Sequence, residues 1–172
     1  MATRATKSPA STKPSGRLRW RRLLVPLDFS KASLRAFEVA VPLARDCGAR
    51  LFLLSAIEPS GYAAGMEAVA TVVPDSVLVE DARSNLPKLA RQLVPSGIPV
   101  TCLVGRGKAF DVITRVATTR GIDLIVLTTH GRTGLERVLM GSTAELVVRH
   151  ASCPVYVVRA FGPRPGRRRR KD

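Results

Sequence analysis

Residues 122–159 read IDLIVLTTHGRTGLERVLMGSTAELVVRHASCPVYVVR, and the fold is decided within them. Leu124–Leu127 is an apolar strand. A polar, glycine-bearing loop follows, then a helix opening near Gly141-Ser142-Thr143, then a second apolar strand at Val155–Val158. Nine residues separate Gly131 from Gly141. A strand–helix–strand unit whose helix opens on Gly-Ser-Thr presents backbone N–H groups and the positive end of a helix dipole to an anion.

Working outward, the rest of the chain repeats the alternation. Strand 1 is expected at Arg22–Leu27, with Pro26 near its end. Ser30 caps a helix over Lys31–Cys47, with Leu34, Phe37, Val41 and Ala44 on one face and Gly48 as its stop. Pro42 is expected to kink that helix. Leu51–Ile57 is strand 2, an almost unbroken apolar run of the kind covered on both faces in a parallel sheet. Glu58–Val73 reads as a long loop. A helix runs from Pro74-Asp75-Ser76 to about Val94, and Pro87 predicts a kink or break near Asn85. Strand 3 is expected at Pro99–Val104, a turn at Gly105-Arg106-Gly107, and helix 3 at Lys108–Arg120 with Phe110, Ile113, Val116 and Ala117 inward.

Strands that alternate with helices give a parallel, doubly wound α/β sheet, covered by helices on both faces. With five strands in the order 3-2-1-4-5, the order reverses between strands 1 and 4. Ligands bind such sheets just past the carboxyl ends of the strands at that point. The residues there are Asp28-Phe29-Ser30 and Thr128-Thr129-His130-Gly131.

Composition locates the charge. The 172 residues carry a formal net charge of +15 and are 45% hydrophobic, enough for a sizeable core. Half of the 28 Lys/Arg fall in residues 1–22 and 159–172, with one of the 13 acids. The intervening domain is nearly neutral. Residues 1–20 and 160–172 read as disordered basic tails around a domain at 21–159. An organelle transit peptide is the other reading of the acid-poor amino terminus, which lacks the apolar core of a secretory signal. The tails could tether the protein to nucleic acid or an anionic membrane, or merely keep it soluble. No apolar run approaches the ~20 residues of a membrane span. Cys47, Cys102 and Cys153 are odd in number and scattered, so a reduced, cytoplasmic protein without a zinc site is expected.

Three stretches taken together, VPLDFS (25–30), DLIVLTTHGRTGLERVLMGSTAE (123–145) and CPVYVVR (153–159), resemble the universal stress protein family over about Arg22–Arg159. The resemblance implies a flavodoxin-like (Rossmann-like) fold, a homodimer, and, as in many members, ATP bound through a Gly-x-x-Gly, nine residues, Gly-Ser/Thr loop. Gly131, Gly141 and Ser142 match that loop. Thr128 stands in place of its first glycine, where its branched side chain either crowds the nucleotide or offers a replacement hydroxyl. By the same resemblance, Pro26, Leu27 and Asp28 line adenine and ribose, and Ala56 flanks the base. Leu127, Thr128 and Gly131 lead toward the phosphates, which Gly141, Ser142 and Thr143 hold. Asp28 could orient a ribose hydroxyl or a Mg²⁺-bound water, or simply bond its own turn.

No catalytic constellation is visible. His130 has no acid or nucleophile beside it, and Arg132 and Arg137 could reach phosphates or simply form a solvated helix face. Slow ATP hydrolysis is the most the residues suggest. VPLDFSKAS lacks the dense Gly/Ser phosphate loop of an adenylating enzyme. The working reading is a dimeric, ATP-binding stress-response module or regulator. The alternative is a member that acts through protein contacts, with Thr128 closing the site. Val155–Val158, too apolar for an open edge strand, is the expected dimer contact.

Overall fold

The computed structural model describes residues 20–59, 73–129 and 141–159. Its elements are β1 (Arg22–Pro26), α1 (Lys31–Cys47), β2 (Arg50–Ile57), α2 (Asp75–Leu93), β3 (Val100–Arg106), α3 (Ala109–Thr119), β4 (Leu124–Thr128), α4 (Ser142–His150) and β5 (Val155–Val158). The five strands form one sheet in the order β3-β2-β1-β4-β5. Each neighbouring pair is parallel, with Leu23 opposite Leu51 and Leu124, and Ile125 opposite Val155. The chain therefore winds outward from β1 in both directions, as the alternation predicts.

Two apolar layers hold the sheet. Leu23, Val25, Leu27, Leu51, Leu53, Leu124 and Val126 pack with Phe37 of α1 and Leu86 of α2. The alternate residues Leu24, Phe52, Leu54, Ile125 and Leu127 pack with Val112 and Ile113 of α3 and Val147 of α4. This is the two-residue period of a strand read on both of its faces. Both faces are covered, so the strands show apolar runs instead of polar alternation.

Helix α1 buries Ser33, Ala36, Phe37, Ala40 and Ala44. The expected Leu34 and Val41 are only half-buried. Alanines at four-residue spacing let the helix lie close on the sheet, so small residues, not the largest apolar ones, mark its inner face. Gly48 closes it at φ +64°, a left-handed stop at no steric cost.

The structure corrects two expectations from the sequence. Helix α2 runs unbroken through Pro87. The proline removes one helical hydrogen bond, but Leu86 and Ala82 are buried beside it and hold the turn in place. Strand β3 continues through Gly105 and Arg106, which pair with Ala56 and Ile57, so the turn begins later, at Gly107 with φ +126°. Gly105 lies inside the strand because Val112 of α3 packs directly over its backbone. The loop reading for Glu58–Val73 falls mostly on residues outside those described. So do both tails.

At the amino-terminal edge of the sheet, Asp123 ties β4 to β1. Its Oδ2 accepts the backbone N–H groups of Arg21 at 2.6 Å and Arg22 at 2.9 Å. The Arg22 guanidinium donates to the carbonyls of Arg120 and Gly121 at the end of α3. No described helix is long and apolar enough to cross a membrane.

Candidate functional site

All four helices follow parallel strands, so all four begin at the carboxyl edge of the sheet, where a ligand would enter. What satisfies each helix start decides where an anion can go.

Helix α1 is closed by its own chain. Asp28, half-buried just beyond β1, accepts the Ser30 N–H at 3.0 Å and the Ser30 hydroxyl at 2.6 Å on Oδ1. The Ser30 hydroxyl in turn accepts the Ser33 N–H at 3.1 Å, the N-cap of α1. Between them Phe29 sits at φ +60°, the left-handed region that branched and bulky side chains avoid. This turn realises the local role foreseen for Asp28. It also fixes the Oδ1 edge of the carboxylate at the point where strand order reverses.

Helix α3 is closed by a residue that the sequence reading passed over. Glu58, directly after β2, accepts the Ala109 N–H at 2.9 Å on Oε1. The signal was available as an acid at a strand end, but its partner lies 51 positions away.

Helix α4 has no side-chain cap, and neither does α2, whose N-cap is Pro74. The N-cap of α4 is Gly141, not Ser142, and a glycine has no side chain with which to cap. Ser142 and Thr143 are exposed in the first turn. The acid of that turn, Glu145, is paired with Arg149 at 2.8 Å, one turn further along. Backbone hydrogen bonds moor the α4 start to the sheet. The Gly141 N–H donates to the Thr129 carbonyl at 2.6 Å, and the Thr129 N–H donates to the Val158 carbonyl at 3.0 Å.

The expected site residues fall into two groups. Leu127 and Ala56 belong to the apolar layer under α3 and α4, and Pro26 follows on that face by alternation from Val25. Gly141, Ser142 and Thr143 stand at the same carboxyl edge. Leu27 and Thr128 lie on the other face. Leu27 packs in the α1 layer, and Thr128 is buried opposite Val158, a member of that layer. The Thr128 side chain is therefore directed away from the face that carries Pro26, Ala56 and Leu127. Gly131, His130, Arg132 and Arg137 lie outside the described residues.

Little else among the described residues suggests bond-making chemistry. Burial pushes the Cys102 thiol up, with Arg91 opposing. It pushes Cys153 up too, with the Asp123 charge adding to the effect. Neither thiol has the depressed pKa of a nucleophile. His150 is exposed at the far end of α4, its ring centroid 6.5 Å from that of Phe110. No group of three or more His, Cys, Asp or Glu able to hold a metal occurs among the described residues. Backbone N–H groups and hydroxyls at α4 suit a phosphate.

Comparison with known proteins bears on the family and the fold. The sequence model of the universal stress protein family matches residues 19–159. The universal stress protein A homolog 2 of Coxiella burnetii is 34% identical over 145 residues, covering 83% of this chain and 97% of that protein. The solved universal stress protein UspA from Lactobacillus plantarum superposes with a TM-score of 0.66 at 30% identity, covering 82% of this chain and 99% of the other. A universal stress protein from Archaeoglobus fulgidus, solved in complex with dAMP, shares the fold at a TM-score of 0.56 and 21% identity, covering 81% and 98% of the two chains.

Proposed function

The chain belongs to the universal stress protein family, and from that premise we propose that it is a cytoplasmic, homodimeric module that binds an adenine nucleotide, ATP foremost, and regulates without a catalytic centre of its own. One observation carries the reading. Helix α4 opens at the strand-order switch with a glycine N-cap, while the starts of α1 and α3 are closed by Ser30 and Glu58. Phosphates would lie against Gly141, Ser142 and Thr143, where first-turn N–H groups and the helix dipole favour negative charge. The base would lie toward Pro26 and Ala56, over Leu127. Asp28 would meet the ribose, or a water on Mg²⁺ accompanying the phosphates. The dAMP held by the Archaeoglobus fulgidus relative supports an adenine nucleotide as the ligand class.

The side on which Thr128 lies supports nucleotide binding over the alternative of a closed site. Its bulk is taken up in the α1 layer beside Val158, so the missing glycine costs the ligand little room.

The test is native mass spectrometry of the purified full-length chain, followed by titration with ATP and Mg²⁺. A dimer that retains an adenine nucleotide, or binds ATP saturably, is expected. Absence of both retained nucleotide and saturable ATP binding would remove the reading.

Dimerisation is assigned to β5. Tyr156 and Val157 are 48% and 36% exposed on the outermost strand. An apolar strand with an unpaired edge is stabilised by a second copy of itself. Tyr156→Lys with Val157→Asp is expected to convert the dimer into a folded monomer, read as a halved mass in solution with an unchanged circular dichroism spectrum. A dimer that survives both changes would place the contact elsewhere.

A further inference from the structure

The amino-terminal edge of the sheet, opposite the candidate site, carries more positive charge than the fold uses. All four helices end at this edge, and every connection there from a helix end to the next strand is described. A cation near a helix carboxyl end is ordinarily accounted for by the dipole. Arg45, Arg91 and Arg149 lie in the last turns of α1, α2 and α4 and fit that account. At the end of α3 the Arg22 guanidinium donates to the carbonyls of Arg120 at 2.8 Å and Gly121 at 3.3 Å. Arg21, Arg50 and Arg120 are left over. All three are exposed, and among the described residues no ion pair joins any of them to a carboxylate.

These arginines stand together. Arg22 lies opposite Arg50 of β2, the Arg50 N–H donates to the Arg21 carbonyl at 2.8 Å, and the Arg120 carbonyl is held by Arg22. The row Arg50–Arg22–Asp123 crosses three neighbouring strands, about 10 Å at the usual strand spacing. Its one acid, Asp123, accepts the backbone N–H groups of both Arg21 and Arg22 on Oδ2. Residues 1–19, which join the fold here, contain no acid. Trp20, the single tryptophan of the chain, immediately precedes the cluster and is half-buried against the α1 layer.

We propose that this edge binds single-stranded nucleic acid, with phosphates along the arginine row and a base against Trp20. Guanidinium groups engage phosphate oxygens two at a time, and a row about 10 Å long spans about three phosphates of one strand. An indole ring stacks on any base, so such a surface reads little sequence. Trp20 is packed against the fold, which holds its ring in place for stacking and keeps it from inserting into a bilayer. The proposal does not depend on the nucleotide reading, because the arginines stand at the opposite edge of the sheet from Asp28 and the start of α4.

The test titrates a labelled single-stranded oligonucleotide of mixed sequence into four full-length proteins at several salt concentrations. They are the natural chain, R21Q/R50Q/R120Q, R83Q/K88Q/R115Q, which removes as many charges from exposed helix positions, and R4Q/K7Q/K13Q/R17Q/R19Q. In R21Q/R50Q/R120Q the backbone bonds to Asp123 and Arg22 remain, so its circular dichroism should match that of the natural chain. It is expected to lose about tenfold or more in affinity. Its dependence of log affinity on log salt should be shallower by about 2, at about 0.7 for each of three phosphate contacts. R83Q/K88Q/R115Q should stay within about twofold of the natural chain. Fluorescence of Trp20 gives a second reading on the natural chain itself, where the oligonucleotide should quench it. Equal losses in the two triple variants would reduce the effect to net charge and overturn the proposal. Full affinity in R21Q/R50Q/R120Q with loss in R4Q/K7Q/K13Q/R17Q/R19Q would give the binding to residues 1–19 and overturn it as well. So would oligonucleotide binding that leaves Trp20 fluorescence unchanged, or a natural chain that binds phosphatidylserine vesicles through these arginines but no oligonucleotide.

Discussion

Gly105→Ala is expected to destabilise the protein by about 1–3 kcal/mol, although it adds one methyl group to a strand. The glycine lies in β3, paired with Ala56. A Cβ built on it falls on the Cγ1 atom of Val112, far inside van der Waals contact. Val112 is fully buried in α3 and cannot swing aside, because branching at Cβ confines it to one helical rotamer. The helix must lift or the strand must bend. The start of that same helix is where Glu58 is bonded, so the distortion reaches the carboxyl edge beside Ala56. Chemical denaturation should show a lower midpoint at unchanged slope. Adding Val112→Ala removes the clash, so the double variant should be more stable than the sum of the two single effects by about 1 kcal/mol or more. Strict additivity would mean that β3 and α3 are not in the close contact described.

That contact illustrates what the sequence could and could not disclose. The strand runs were legible because parallel strands covered on both faces are apolar throughout, and the alternation with helices then limited the topology to very few arrangements. The strand order and the switch point beside Asp28 followed. The same apolar continuity concealed which face each strand residue occupies. Every residue from Leu124 to Thr128 is buried, so no polar position betrays the period, and Thr128 could not be assigned a side until Val158 was seen opposite it. Gly105 and Gly107 looked alike in sequence. One is a strand residue under a close helix and the other a turn at positive φ, a distinction set by tertiary packing. Pro87 does not break α2 because helix propensity is local, whereas the burial of Leu86 is not. Glu58 was missed because a helix start can be capped from a distant strand end as well as from its own preceding residue.

The decisive change at the candidate site is Ser142→Asp, expected to lower ATP affinity by on the order of a hundredfold while leaving the fold intact. Ser142 is exposed in the first turn of α4, so the substitution disturbs no packing. An aspartate is itself favoured in a first helical turn, where it interacts with the dipole by about 0.3–1 kcal/mol, so thermal stability should hold or rise slightly. For a phosphate the same charge is adverse on two counts. It occupies the positive end of the helix, and it repels the ligand. One unit charge 4 Å from another, near a protein surface, contributes about 4 kcal/mol, so a net loss of about 3 kcal/mol, or a hundredfold, is reasonable. Ser142→Ala separates charge from hydrogen bonding, since it removes only the hydroxyl, worth about 1 kcal/mol or roughly fivefold. Calorimetric titration of ATP into the natural chain and both variants gives the order directly: natural chain tightest, alanine next, aspartate weakest. AMP should follow the same order with a smaller span, because it brings less charge to α4. Should Ser142→Asp bind ATP within about twofold of the natural chain, the start of α4 would have no part in holding the phosphates, and the glycine N-cap would be a feature of the fold alone.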